Sequence, residues 1–245
     1  MWQPQANGSI LNPQSGRVLD ALGGGSADGT QLHIWDYVAA ASQHWVFNGS
    51  GTNRIQLFDG SSLSGWEHTN GAPSTWPISG GSAEVLGGDL RTKQSFGDFK
   101  LHVEFWIPNL PPEVTGQARG NSGVYLQDRY ELQVLDSFGD TTPADNECGG
   151  IYTKRAPDSN RATAPETWQT YEITFRAARF NGATKTENAR ATVVWNGAVV
   201  HNNIEINGST GGGAAEGPGA APIRLQDHGD PGANVRYRNI WIEPM

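Results

Sequence analysis

Glu131, Arg224 and His228 are a carboxylate, a fixed cation and an imidazole, the side-chain types that take, stabilise or give a proton. Two lie in strand-like stretches and the third follows one, in "SGVYLQDRYELQVLD" (122 to 136) and "PIRLQDH" (222 to 228). Side chains alternate across a strand, so each stretch divides into an apolar row and a polar row. Val124, Leu126, Leu132, Val134, Ile223 and Leu225 form the apolar row. Tyr125, Gln127, Glu131, Gln133, Arg224, Gln226 and His228 form the polar one. In "LHVEFWI" (101 to 107), Leu101, Val103, Phe105 and Ile107 face the core and His102, Glu104 and Trp106 lie opposite. The expectation is that Glu104 and Trp106 join the polar row of the other strands on one shared face. Planar amides and carboxylates pair with vicinal hydroxyls, and an aromatic ring packs on the apolar face of a pyranose. The pattern points to a cleft for a carbohydrate.

The elements that must position these residues are strands. The chain has 245 residues, 36% hydrophobic and 17% charged, with 32 Gly and 14 Pro falling between short apolar runs. No segment carries a helical period. "FKLHVEFWI", "SGVYLQ", "YELQVL", "TWQTYEITFRA", "ARATVVWNG", "VVHNNIEI", "PIRLQD" and "VRYRNIWIE" predict a sandwich of two antiparallel sheets, with a hairpin turn at Asn196-Gly197. A formal charge of −8 without a Lys/Arg cluster excludes nucleic acid and anionic membrane as partners. Cys148 is the one cysteine, so no intrachain disulfide forms, and it reads as a small buried residue. "MWQPQANGSI" lacks a secretory leader and no run reaches membrane-span length. Such a chain is either cytoplasmic or has lost its leader, and the expectation is a secreted protein.

Residues 8 to 47 differ from the rest in their compact β-turn-β rhythm and end in Gln43, His44, Trp45. With "SGRVLDA", "ADGTQLHIWD" and "QHW" in that order, they resemble one repeat of the ricin-B-type β-trefoil lectins. The resemblance implies sugar contacts at Asp20, His33, Trp35 and Gln43. Ser42 stands where the family has Asn, and Val18 and Tyr37 stand at its cysteine positions. One repeat has too little interior to stabilise itself. Leu11, Leu19, Ile34 and Trp45 are therefore expected to be covered by the following domain or by another chain, with self-association through this repeat. The division expected is a lectin-like repeat over 1 to 49, a linker "NGSGTN" and a second domain over 54 to 245.

"LFDGSSLSGWE", "GDFKLHVEF", "GNSGVYLQDRYELQVLDS", "CGGIYTKRAPDSNRATAPETWQTYEITF", "VVWNGAVVHNN" and "IRLQDHGDPGANVRYRNIWI" resemble, in order from 56 to 243, the 3-keto-disaccharide hydrolase family. That resemblance implies an all-β, concanavalin A-like jelly roll and cleavage of glycosides oxidised at C3. A 3-ketone acidifies the C2 hydrogen and makes the C1 oxygen a β-leaving group. Elimination across C1 and C2, then hydration, needs a base, an enolate stabiliser and an acid. Glu131 fits the base or a nucleophile; His228 and Arg224 fit the proton donor and the oxyanion stabiliser. His228 could equally ligate a metal.

Two alternatives stay open. "ELQVLD" resembles the E-x-D-x-x-E signature of retaining β-glucanases of glycoside hydrolase family sixteen, with Gln133 in place of the middle Asp and Asp136 in place of the last Glu. A non-catalytic sugar-binding protein is the other. Asp136, Asp140, Asp145 and Glu147 lie close enough in sequence to bind Ca²⁺ through oxygen ligands.

Overall fold

The structure is a computed structural model that describes residues 2–5, 9–25, 30–44, 53–230, 232 and 234–245. Its contacts divide the chain into Met1–Thr52 and Asn53–Met245. Among the described residues no helix is long and apolar enough to cross a membrane.

The first unit is a single antiparallel sheet, β1 (Gln3–Pro4), β2 (Ile10–Asn12), β3 (Arg17–Ala21) and β4 (Leu32–Trp35), in that spatial order. Ile10, Val18 and Ala21 are buried, whereas Leu11 and Leu19 are only half-buried. Ile34, expected to be covered, is 39% exposed in the single chain. Strands this short enclose little interior, so the edge strand β4 keeps its apolar side chains at the surface. Trp45 lies outside the described residues.

The second unit is all-β. Its strands are β5 (Ile55–Phe58), β6 (Trp66–His68), β7 (Ile78–Ser79), β8 (Ser82–Glu84), β9 (Leu90–Thr92), β10 (Phe99–Trp106), β11 (Ser122–Leu126), β12 (Tyr130–Val134), β13 (Gln169–Arg176), β14 (Arg179–Asn181), β15 (Thr184–Glu187), β16 (Ala189–Trp195), β17 (Ala198–Ile206), β18 (Arg224–Leu225) and β19 (Arg236–Pro244). One sheet runs β17-β16-β13-β10-β19-β8-β7, with β5 also on β19; the other runs β12-β11-β18-β9-β6. Between them lies one apolar core. Leu101, Val103, Phe105, Ile173, Val193 and Ile242 come from the larger sheet, and Leu90, Val124, Leu126, Leu132, Val134 and Leu225 from the smaller. Each such side chain contributes roughly 1.5–3 kcal/mol by leaving water.

Two turns fix the registers that matter. Asn196 (φ 49°) and Gly197 (φ 80°) make the two-residue β16–β17 turn, the left-handed pair that an Asn-Gly step supplies. The β11–β12 turn uses Gln127 (φ 54°) and Asp128 (φ 57°), neither a glycine, so side-chain bonds must hold it. Gln127 Nε2 donates to the Phe96 carbonyl at 2.8 Å, and Asp128 pairs with Arg224.

His201 on β17 is fully buried; one ring nitrogen meets the Gly149 carbonyl at 2.7 Å and Nδ1 has no partner. Burial holds its pKa below the ordinary value of 6.5. The folded state therefore prefers the neutral ring, while the unfolded chain takes up a proton below about 6.5. Stability from this residue is present above that pH and lost as pH falls. Urea titrations at pH 7.5 and pH 5 should show wild type losing stability relative to His201→Gln in acid; parallel curves would refute this assignment.

Candidate active site

Glu131 stands mid-strand on β12, directly opposite Tyr125 on β11, on the face turned away from the core. Tyr125 donates its hydroxyl hydrogen to Glu131 Oε2 at 2.8 Å and accepts from Gln226 Nε2 at 3.2 Å. Both strands are buried on both faces, because loops cover the outer one. Residues 149 to 152 pair along the free edge of β12: Gln133 N donates to the Gly150 carbonyl and Tyr152 N to the Glu131 carbonyl. On the same edge Thr210 Oγ1 accepts from Glu131 N at 2.9 Å. Next to it, Gly212 lies so close that an added Cβ would come within 2.9 Å of the Tyr125 hydroxyl.

These elements enclose a cavity of about 130 Å³ lined by Tyr125, Glu131, Gln133, Gln226 and His228, together with Gln117, Asn121, Tyr152, Gly211 and Gly212. Glu131 is 2% exposed. Burial pushes its pKa up to about 7, while the Tyr125 hydrogen bond and the charge of Arg224 pull it back. Burial, then the neighbouring Glu131 charge, holds the Tyr125 phenol well above its ordinary range, so it remains a donor. Gln133 Nε2 donates to Gln117 Oε1 at 3.1 Å, the oxygen that Asn121 Nδ2 also meets. His228 meets Asp230 Oδ2 through Nδ1 at 2.7 Å and is 40% exposed at its side chain, at the open end of the cavity.

The structure brings Tyr125, Glu131, Gln133, Gln226 and His228 together, but other expected residues lie elsewhere. Glu104 and Trp106 belong to β10 in the opposite sheet, where Glu104 is bonded to Arg238 and Asn239 and Arg236 lies over the Trp106 ring. Alternation sets the face of a strand and not the sheet it joins. Gln127 is buried in the β11–β12 turn, between the Phe96 carbonyl and Arg129. Arg224 does not line the cavity. Its guanidinium is bonded to Asp89, Asp128 and the Gly212 carbonyl and lies 3.6 Å from the centre of the Tyr125 ring. It braces Tyr125 from behind instead of meeting an oxyanion.

The acidic loop does not assemble as a calcium site. Asp136 is ion-paired to Arg119 at 2.6 Å, and Glu147 accepts from Ser137 Oγ at 2.6 Å. Among the described residues no group of three or more His, Cys, Asp or Glu could hold a metal. In the first unit, Gln43 is buried, donating to Asp20 and the Asp36 carbonyl and accepting from Val38 N, so its amide is not offered to a ligand. Trp35 is exposed and stacks on His33 (5.4 Å, 12°), whose Nε2 is 3.8 Å from Asp20.

Gly123 makes room for the candidate base. A Cβ there would lie 2.4 Å from Glu131 Oε1. Gly123→Ala is expected to displace the carboxylate and lower turnover about 10²-fold, the scale of a 1 Å misplacement, with the fold retained by circular dichroism. Undiminished turnover would contradict this placement.

A family model described as "3-keto-alpha-glucoside-1,2-lyase-like domain" matches residues 53–243. A second, "Ricin-type beta-trefoil lectin domain-like", matches residues 1–76 and so runs on into β5 and β6. A crystal structure of a candidate glycosyl hydrolase from Parabacteroides distasonis is 38% identical, with a TM-score of 0.72 over 79% of this chain and 84% of that one. Two more candidate glycosyl hydrolases from that organism, 17% and 20% identical, share the fold at TM-scores of 0.56 and 0.55; each match covers 78% of this chain, and 94% and 99% of theirs. No curated protein matches the chain.

Proposed function

We propose, from the premise that the chain belongs to the 3-keto-alpha-glucoside-1,2-lyase-like family, that it cleaves glycosides carrying a ketone at C3 by removing the C2 proton. The chain carries a glycosyl-hydrolase-like domain, and the similar solved structures support a carbohydrate substrate. The observation that carries the finer reading is that Glu131 is, among the described residues, the one carboxylate lining the cavity, buried with its pKa up to about 7. A basicity near neutral pH suits a general base that must be ionised yet still hold a proton.

In this reading Glu131 takes the C2 hydrogen, and the electron pair of that bond passes into the enolate of the C3 ketone. The enolate collapses, re-forming C3=O and making C1=C2 as the C1–O bond to the aglycone breaks. His228 gives its proton to the departing oxygen. Asp230 holds the Nδ1–H and orients the ring, and the proton given is the Nε2–H of the imidazolium form. Water then adds across C1=C2 to give the free keto-sugar. Tyr125 holds the Glu131 carboxylate, and Gln226 holds Tyr125.

A retaining hydrolysis with Glu131 and Asp136 is the weaker reading, because it needs two carboxyl groups about 5 Å apart across the bond. The Asp136 carboxylate is committed to Arg119 and lies outside the cavity lining. Turnover of methyl 3-keto-α-glucoside measured beside its unoxidised parent separates the two. Cleavage of the keto form alone supports the elimination, and equal cleavage of both rejects it.

A further inference from the structure

Two acceptors in the cavity have no donor. Tyr125 commits its hydrogen to Glu131, so its oxygen accepts from Gln226 Nε2. That polarity fixes the Gln226 amide and leaves Oε1 buried without a partner. Asn121, 6% exposed, spends Nδ2 on the Gln117 carbonyl (2.9 Å) and Gln117 Oε1 (3.2 Å), which leaves Oδ1 equally unpartnered. Both residues line the cavity that holds Glu131. Buried acceptors are normally satisfied, and an apolar side chain at either position would avoid the cost. Both oxygens are shielded from bulk water in residues that line the cavity, and a hydroxyl brought in by a ligand supplies the donor each lacks. Because among the described residues no Lys or Arg lines the cavity and Arg224 is held by Asp89 and Asp128, a ligand carboxylate would meet Glu131 without a compensating cation.

We infer that Asn121 and Gln226 are specificity-determining residues whose amide oxygens accept hydrogens from two free hydroxyl groups of a neutral sugar. This rests on reading the cavity as the sugar site. A substrate capped or deoxygenated at either hydroxyl leaves a buried oxygen unpaired on binding, and a uronic acid is rejected.

The test uses the full chain with Glu131→Gln, in which turnover is slow on the time of a titration, and measures calorimetric binding. Probes are methyl 3-keto-α-glucoside, its 2-, 4- and 6-deoxy forms, the corresponding glucuronide, and the same series without the ketone. Removal of the right hydroxyl should weaken binding by about 10- to 100-fold. One penalty should vanish when Asn121→Ala is added and another when Gln226→Ala is added, and the glucuronide should bind at least tenfold more weakly than the parent sugar. Deoxy forms that bind like their parents, penalties unchanged by both substitutions, tight glucuronide binding, or no binding by either series would each overturn the inference. Should an alanine variant fail to fold, the deoxy series on Glu131→Gln decides alone. Binding penalties that persist while C2 exchange is absent would reject the proposed chemistry and leave this inference standing.

Discussion

Glu131→Gln should lower turnover of a 3-keto-glucoside by about 10²–10⁴-fold, the range that general acid–base catalysis supplies. Glutamine keeps the shape of the side chain and can still meet Tyr125, so the loss isolates the proton-accepting role. In the wild type kcat/KM should rise with pH through about 7, where Glu131 ionises, and this limb should be absent from the residual activity of the variant. The same residue shapes stability. Its folded pKa of about 7 lies above the ordinary 4.5, so between these values the fold keeps a proton that the unfolded chain has released. Stability from Glu131 is therefore full below 4.5, falls as pH rises, and is lowest above 7, a loss of roughly 3 kcal/mol. The neutral glutamine escapes it. Urea unfolding should show Glu131→Gln gaining on the wild type from pH 4.5 to 8 while activity collapses. A variant equally active, or one whose stability tracks the wild type across that range, would remove Glu131 from the role.

Arg224→Met should destabilise the second domain by about 3 kcal/mol, toward the range for breaking a buried ion pair. Arg224 is 8% exposed and its guanidinium serves Asp89, Asp128 and the Gly212 carbonyl while lying against the Tyr125 ring. Methionine fills the volume but leaves two aspartates without their cation and the non-glycine turn at Gln127-Asp128 without its anchor. Lysine should not restore the wild-type midpoint, since one ammonium cannot make three planar contacts and stack on a ring. Urea unfolding of the three proteins checks this; a change under 1 kcal/mol in Arg224→Met would contradict the bracing role.

Alternation made part of the site legible in the sequence. Tyr125, Glu131, Gln133 and Gln226 were readable because strands have a period of two and their neighbours Val124, Leu132, Val134 and Leu225 are apolar. The same pattern misled at Glu104 and Trp106, since β10 alternates identically although it pairs with β13 and β19 in the other sheet. At Gln127 the rule failed because the chain turns left-handed in "LQDRY", which has no glycine to announce the turn. Asp89 and Asp128 are far from Arg224 in sequence, so its commitment to them carried no local signal. Gln117, Asn121 and Tyr152 reach the cavity from outside the strands, where no period exists. The run Gly211-Gly212-Gly213 was the available signal for a close approach of backbone to the site. The acidic run from Asp136 to Glu147 read as a cation loop only because Arg119 could not be placed beside it. The strands β6 and β9, three residues each, are too short to register as periodic, yet they complete the smaller sheet.

The most direct measurement of the central claim is proton exchange at C2. Methyl 3-keto-α-glucoside incubated with the wild type in deuterium oxide should yield a keto-sugar carrying deuterium at C2, seen by NMR as loss of the C2 proton signal. A substrate deuterated at C2 should react more slowly wherever proton abstraction limits the rate, and the unoxidised glucoside should remain intact, because its C2 hydrogen is too weakly acidic for a carboxylate to remove. Cleavage that retains the original hydrogen at C2, or that proceeds equally on the unoxidised glucoside, would contradict the elimination chemistry assigned to Glu131.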